Sequence, residues 1–266
     1  MQQLTSAPVS CAHIQRGEGP PLVLVHGIGA RKESWSSVIQ ILKEDFQCIA
    51  YDLRGHGESP LPSTAFELDD LVEDLEALRA KLGLERMHVM GHSLGGMIGP
   101  AYARKYSERI LSLGLLSTAA FRTAEDRQKV SSIVQAMEKK GVAPMLDTLV
   151  ERWFTDGFKA ENQDTVQWRR EQVLTTDETV FLNVFRIYAE TEMSPWLHEI
   201  KASTLVCTGE MDGGCNPRLN RQISDAMPNA ELVILQGLKH AIQLEAPNEL
   251  ASAMKDFLQN LESPVQ

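Results

Sequence analysis

The sequence predicts an α/β fold: a mostly parallel central sheet with helices on both faces and an inserted all-helical lid. Three observations predict it. Short, nearly continuous apolar runs recur along the chain, as in strands buried on both faces. Amphipathic helical spacing alternates with them, and parallel strands need such crossovers. The alternation stops between residues 119 and 200, where only helical spacing is found.

The elements follow in order. Residues 22–26 (LVLVH) come after Pro20-Pro21 and are too short for a helix. Residues 48–51, 87–90, 110–116, 204–207 and 232–235 read as further strands. Between them, Leu68, Leu71, Val72, Leu75, Leu78 and Leu82 make one helical stripe over residues 66–84, with Gly83 at its C-terminal end. A helical run covers residues 94–106; Pro100 inside it forfeits the bond to the Gly96 carbonyl, so a kink is expected. In the insertion, Val130, Ile133, Val134 and Met137 form a stripe ended by Gly141, and Leu146, Leu149, Val150 and Trp153 form a second. A third, Val180, Phe181, Val184 and Tyr188, is opened by Thr175 with Glu178 three residues on, a capping box. Ser194-Pro195 reads as the start of a fourth helix. Helices are expected from near Asn216-Pro217 and from Pro247, the latter with Leu250, Met254, Phe257 and Leu261 on one side. Residues 1–118 and 201–266 are expected to form the core domain and 119–200 the cap, with residues 263–266 frayed.

Composition narrows the function. A chain of 266 residues, 43 % hydrophobic, can bury a core without staples. Twenty-six basic residues against 36 acidic ones give a net charge of −10, so no positive field invites nucleic acid or an anionic membrane. No apolar run reaches the roughly 18 residues a membrane span needs, and neither a basic nor an apolar segment opens the chain as in a secretory signal. A cytoplasmic protein is expected. Cys11, Cys48, Cys207 and Cys215 lack CxxC or metal-ligand spacing, so neither a disulfide nor a metal is expected, and nothing points to a cofactor.

The chemistry concentrates at Gly91-His92-Ser93-Leu94-Gly95-Gly96, directly after one strand and before a helix. A turn this tight requires residues without bulk two before and two after the serine, and it holds the Ser93 hydroxyl at the carboxyl end of the sheet. Ser93 then lies at a helix N-terminus, where partial positive charge favours an oxyanion. A serine nucleophile needs a base. Of seven histidines, His240 follows the strand at 232–235 across a short loop and reaches the same end of the sheet. His88 reads as core, His198 as surface, and His92 as pointing away from Ser93. Asp212, in the loop after the strand at 204–207, is the orienting carboxylate, and Glu210 is its rival, closer to the strand and solvated. The Leu94 N–H and the Ile28 N–H, in the loop His26-Gly27-Ile28-Gly29, are the expected oxyanion donors. The paired glycines of that loop lack the third glycine of a dinucleotide site.

Taken together, these residues give a resemblance. His26–Gly29 with Asp52-Leu53-Arg54-Gly55-His56-Gly57-Glu58-Ser59, residues 91–96, Gly209-Glu210-Met211-Asp212 and Lys239-His240 fall in the order and spacing of the α/β-hydrolase fold. The chain resembles that superfamily over nearly its whole length, in its serine-hydrolase branch. The resemblance implies a catalytic triad of Ser93, Asp212 and His240, acyl transfer, and a structural role for residues 52–59. Lys239 stands where the family commonly has glycine. Dehalogenases and epoxide hydrolases of this fold have aspartate at the position of Ser93.

The resemblance narrows the substrate less. Glu151-Arg152-Trp153-Phe154-Thr155 resembles the cap of 3-oxoadipate enol-lactonases, which open a lactone in aromatic catabolism, although His92 departs from their usual pattern. A general short-acyl carboxylesterase, a C–C hydrolase of the meta-cleavage type and a slow-turnover ligand receptor stay open; Ala241, where C–C hydrolases have tryptophan, counts against them. Gly27, Arg152 and Trp153 are the expected substrate contacts. For an anionic lactone Arg31, Arg152, Arg186 and Lys239 are the candidate cations, and Trp153, Trp168 and Trp196 the candidate lining aromatics. The expected partner is a small-molecule ester or lactone; oligomeric state has no signature in the sequence.

Overall fold

The computed structural model describes residues 7–262; residues 263–266, expected to fray, lie outside that range. Seven strands form one sheet among the described residues: β1 (His13–Arg16), β2 (Pro21–Val25), β3 (Gln47–Tyr51), β4 (Met87–His92), β5 (Ile110–Leu116), β6 (Thr204–Gly209) and β7 (Ala230–Leu235). Their order is β1-β3-β2-β4-β5-β6-β7. All pairs are parallel except β1 with β3, which is antiparallel. The short edge strand β1, HIQR, offers no apolar run and was not expected.

Side-chain alternation sends each central strand into two cores. On β2, Val23 and Val25 join a core with α2 (Leu68–Lys81), α3 (Gly95–Lys105) and α9 (Pro217–Ala226). Leu22 and Leu24 face the other way, towards α1 (Ser36–Leu42) and α11 (Pro247–Glu262). Helices therefore cover both faces, which is why the strands are apolar throughout. Each fully buried Leu, Val or Ile contributes about 1.5–3 kcal/mol. α3 continues through Pro100 as one helix.

Between β5 and β6 the described residues hold helices and no strand: α4 (Ala124–Lys140), α5 (Leu146–Trp153), α6 (Asp156–Glu161), α7 (Gln163–Leu174) and α8 (Glu178–Glu190), with α10 (Ile242–Glu245) later in the chain. Two expectations change here. Thr175 ends α7 rather than opening α8, whose N-cap is Asp177, its carboxylate accepting from the Thr179 and Val180 N–H groups. Ser194-Pro195 starts no α-helix; a single 3₁₀ turn follows at Leu197–Glu199.

From β2 the chain crosses to β3 on one side and then to β4 on the other. This reversal opens a crevice at the carboxyl ends of β2 and β4, the usual ligand position in an open α/β sheet. The loops that leave those two strands carry Gly27-Ile28 and Ser93.

Candidate active site

Ser93 sits in a left-handed conformation, φ +57°, which a non-glycine residue adopts only under constraint. The constraint is packing. A Cβ on Gly91 would lie 2.0 Å from the Gly95 carbonyl oxygen, and one on Gly95 2.3 Å from the Val25 carbonyl oxygen. The Ser93 N–H donates to the Leu116 carbonyl (2.8 Å), and the Thr118 hydroxyl donates to the Ser93 carbonyl (2.9 Å). The backbone is thus clamped between β4 and β5, and the side chain is left facing the crevice.

His240 reaches the same place because β6 ends in Gly209. A Cβ there would meet the Lys239 and Leu238 carbonyl oxygens at 2.2 and 2.4 Å, so glycine lets the 238–240 loop pack on the strand end. His240 Nδ1 lies 2.6 Å from Asp212 Oδ2. The other oxygen of Asp212 accepts from the Gly214 and Cys215 N–H groups, at 2.9 and 2.8 Å. Burial works against the Asp212 carboxylate, but His240 and those two N–H groups outweigh it and hold its pKa below the ordinary value. Burial also works against the His240 imidazolium, and the Asp212 carboxylate outweighs that and raises the His240 pKa above the usual histidine range. Glu210 is exposed and accepts only from the Gly237 N–H at 3.0 Å among its described bonds.

His92 differs from its expectation. It lines the same crevice as Ser93, with its ring 4.8 Å from that of His240. Its Nε2 donates to the His240 carbonyl at 2.8 Å, which requires the proton on Nε2 and leaves Nδ1 to accept from Gln243 (3.4 Å). Burial, and then the neighbouring His240, push its pKa down to about 3, so it stays neutral. His92 therefore steadies the His240 loop. His88 is buried and bonded to Ser112, and His198 is exposed.

The loop after β2 approaches closely: a Cβ on Gly27 would stand 2.9 Å from Ser93 Cβ. Gly29 has φ +59°, and its N–H donates to His56 Nε2 at 3.2 Å. Residues 52–59 brace this loop from below. His26 Nε2 accepts from the Leu53 N–H, and the buried Asp52 carboxylate binds both the N–H and the ammonium of Lys32.

Gly27, Ile28, Ser93, Arg152, Trp153, Asp212 and His240 line one cavity, mostly apolar with a few polar groups converging on it. Leu94 is buried beneath it. The helical segment supplies most of the apolar wall, through residues such as Val130, Phe181 and Tyr188. It is fastened to the His240 loop, since the Ala241 N–H donates to the Trp153 carbonyl (2.9 Å) and the Lys239 ammonium to the Glu151 carbonyl (2.8 Å).

Of the candidate cations only Arg152 reaches the cavity. Arg31 donates to the Thr175 hydroxyl, Arg186 pairs with Glu138, and Lys239 donates to the Glu151 carbonyl. Trp196 lies under Arg104, and neither it nor Trp168 lines the cavity. A second cation at the wall is Arg169, which sequence reasoning missed: α7, QDTVQWRREQVL, is polar around most of its circumference and shows no apolar stripe to orient it. Asp212, Cys215 and His240 bring potential metal donors within 4.8 Å of one another, but Nδ1 and Oδ2 already share a hydrogen bond and the Cys215 thiol lies 3.1 Å from the Tyr188 hydroxyl. All four cysteines are free and buried.

A family model of the alpha/beta hydrolase fold matches residues 20–144. Solved structures agree over almost the whole chain. The enol-lactonase from Burkholderia xenovorans LB400 superposes with a TM-score of 0.87 at 24 % identity, covering 94 % of this chain and 97 % of that one. This chain has the α/β-hydrolase fold. Within that fold, a thermophilic esterase from Thermogutta terrifontis is similar at a TM-score of 0.86 and 23 % identity, with 96 % and 95 % covered. In sequence, this chain is 24 % identical over 254 residues to 3-oxoadipate enol-lactonase 2 of Acinetobacter baylyi, 95 % of this chain and 94 % of that protein. No helix among its described residues is long and apolar enough to cross a membrane.

Proposed function

We propose that this α/β-hydrolase cleaves a small carboxylic ester or lactone through a serine acyl-enzyme. The observation that carries the reading is the 2.6 Å bond between His240 Nδ1 and Asp212 Oδ2, facing the same cavity as a serine held at positive φ. Ser93 Oγ attacks the carbonyl carbon, and His240 Nε2 takes its proton. Asp212 fixes the His240 tautomer, since Nδ1 must carry the proton it shares. The N–H groups of Ile28 and Leu94 have no partner among the described residues and receive the oxyanion, each contributing about 2.7–4 kcal/mol as in other oxyanion holes. His240 then protonates the leaving alkoxide, and water, deprotonated in turn by His240, releases the acyl group. Residues 119–200 act as the cap that walls the acyl site, with Gly27, Trp153 and Arg152 beside the substrate.

The relatives favour this chemistry over C–C cleavage or a receptor role, because an esterase and enol-lactonases are among them. The test is kcat/KM on 3-oxoadipate enol-lactone and on p-nitrophenyl acetate, with Ser93→Ala alongside. Serine-dependent turnover is expected, falling roughly 10⁴- to 10⁶-fold in the variant. A preference for the lactone identifies a lactonase, and comparable values a general esterase. Equal rates with and without Ser93 overturn the reading.

A further inference from the structure

Arg169 is a buried charge without a matching one. Its side chain is 7 % exposed, and no carboxylate pairs with it among the described residues. Its Nη atoms donate to the Gly29 and Ile28 carbonyls, at 2.6 and 2.8 Å, and its guanidinium stacks 4.2 Å over the Trp153 ring. Those carbonyls offer partial charges only. Burial pulls the guanidinium pKa down to about 9, with no opposite charge to resist it. Buried charges are normally paired. The carboxylate in the cavity wall, Asp212, is already committed to His240 and two N–H groups. The other guanidinium at the cavity, Arg152, adds to the same sign. The imbalance is local, since the chain as a whole carries −10.

We propose that Arg169 binds a carboxylate carried by the substrate, so that the cavity selects acyl groups with an anionic end. The proposal rests on the hydrolase reading of the same cavity. A guanidinium has five N–H donors in a planar fork matched to a carboxylate, and the two carbonyls take two of them. The carbonyl contacts and the Trp153 face hold that fork in place before substrate arrives, so little freedom is lost on binding. Arg152 is exposed, so Arg169 is the buried guanidinium at the cavity, and one carboxylate neutralises it. Ile28 joins the two subsites: its carbonyl meets Arg169, and its N–H, in the preceding peptide unit, is the proposed oxyanion donor. The anionic end therefore lies within one short acyl chain of Ser93.

The experiment compares mono-p-nitrophenyl adipate with p-nitrophenyl hexanoate, which differ only in a terminal carboxylate for a methyl. The wild-type chain is expected to favour the adipate ester in kcat/KM by about tenfold or more, the scale of a charge-assisted hydrogen bond. Arg169→Met abolishes that preference, mainly through KM, and Arg169→Lys keeps part of it. A wild-type preference for hexanoate, or an equal loss on both esters in Arg169→Met, overturns the proposal and leaves Arg169 as a tether between α7 and the Ile28–Gly29 turn. A second readout needs no turnover: sodium adipate should change the fluorescence of Trp153 in Ser93→Ala, and this response should vanish in Trp153→Phe and in Arg169→Met and weaken in Arg169→Lys, each variant checked for folding by circular dichroism. If neither ester is hydrolysed but adipate still binds in an Arg169-dependent way, the hydrolase reading fails and the anion site stands. If adipate fails to bind wild type, the anion site is refuted whatever the esters show.

Discussion

At the scale of single residues, the site depends on side chains that are missing as much as on those present. The Gly91 Cα faces the Gly95 carbonyl so closely that any Cβ lands 2.0 Å from its oxygen. Gly91→Ala is therefore expected to lose most folded protein, whereas Gly157→Ala, with open space around its Cβ, is expected to cost nothing; thermal melts of the two separate local crowding from a general loss of glycine. The Asp212–His240 bond sets a second expectation. Acyl transfer needs neutral His240, and the neighbouring carboxylate raises its pKa. Activity should fall as pH drops, with the acid limb above the usual histidine value of about 6.5. Asp212→Asn removes the cause, so its limb should move to lower pH while kcat falls by about 10⁴, the size seen when the aspartate of another serine triad is so replaced. A limb that stays in place in the kcat/KM profile of the variant would argue that His240 is not the titrating base.

At the scale of elements, the loop at residues 52–59 and helix α2 are joined by a buried ion pair. Arg54 Nε lies 2.6 Å from Asp74 Oδ2, with both side chains inaccessible, and Asp74 also accepts from the Val9 N–H at 2.7 Å. Asp74→Ala leaves the guanidinium buried without that carboxylate and should cost about 3–5 kcal/mol in urea unfolding. A change below about 1 kcal/mol would mean that water reaches the site. The elements also differ in how legible they were. The central strands of the parallel sheet were visible because two-sided burial demands an apolar run, and β7 because its half-buried LVIL run packs against the cores. Helices α5 and α11 were visible because one stripe meets a core. β1 and α7 were not: an edge strand needs only backbone pairing, and α7 buries Arg169, Gln172 and Val173 on a face that reads as polar.

At the scale of the whole molecule, buried histidines couple the fold to pH. Burial lowers His26 and His88 to about 4 and His56 and His92 to about 3. The folded protein keeps them neutral, while the unfolded chain protonates them near pH 6.5. Below that pH the unfolded state binds more protons, so stability falls, by up to about 1.4 kcal/mol per histidine per pH unit until the folded value is reached. The melting temperature should therefore drop steeply between pH 6.5 and 4, and a flat profile would show that these imidazoles reach solvent. His240 has the opposite sign: its raised pKa stabilises the fold at and below the unfolded value, and that contribution fades as pH rises through the folded one.

The sequence by itself determined the parallel strands of the sheet, the tight turn at Ser93 and the chain order Ser93, Asp212, His240, because periodicity and glycine spacing are local consequences of strand, helix and turn geometry. Only the tertiary structure decided what surrounds them. Arg169 meets the Ile28 and Gly29 carbonyls across 140 residues or more, and His92 supports a loop 148 residues away. Such meetings follow from where whole helices and loops pack, and packing follows from the fit of many distant side chains at once, which no short stretch of sequence encodes.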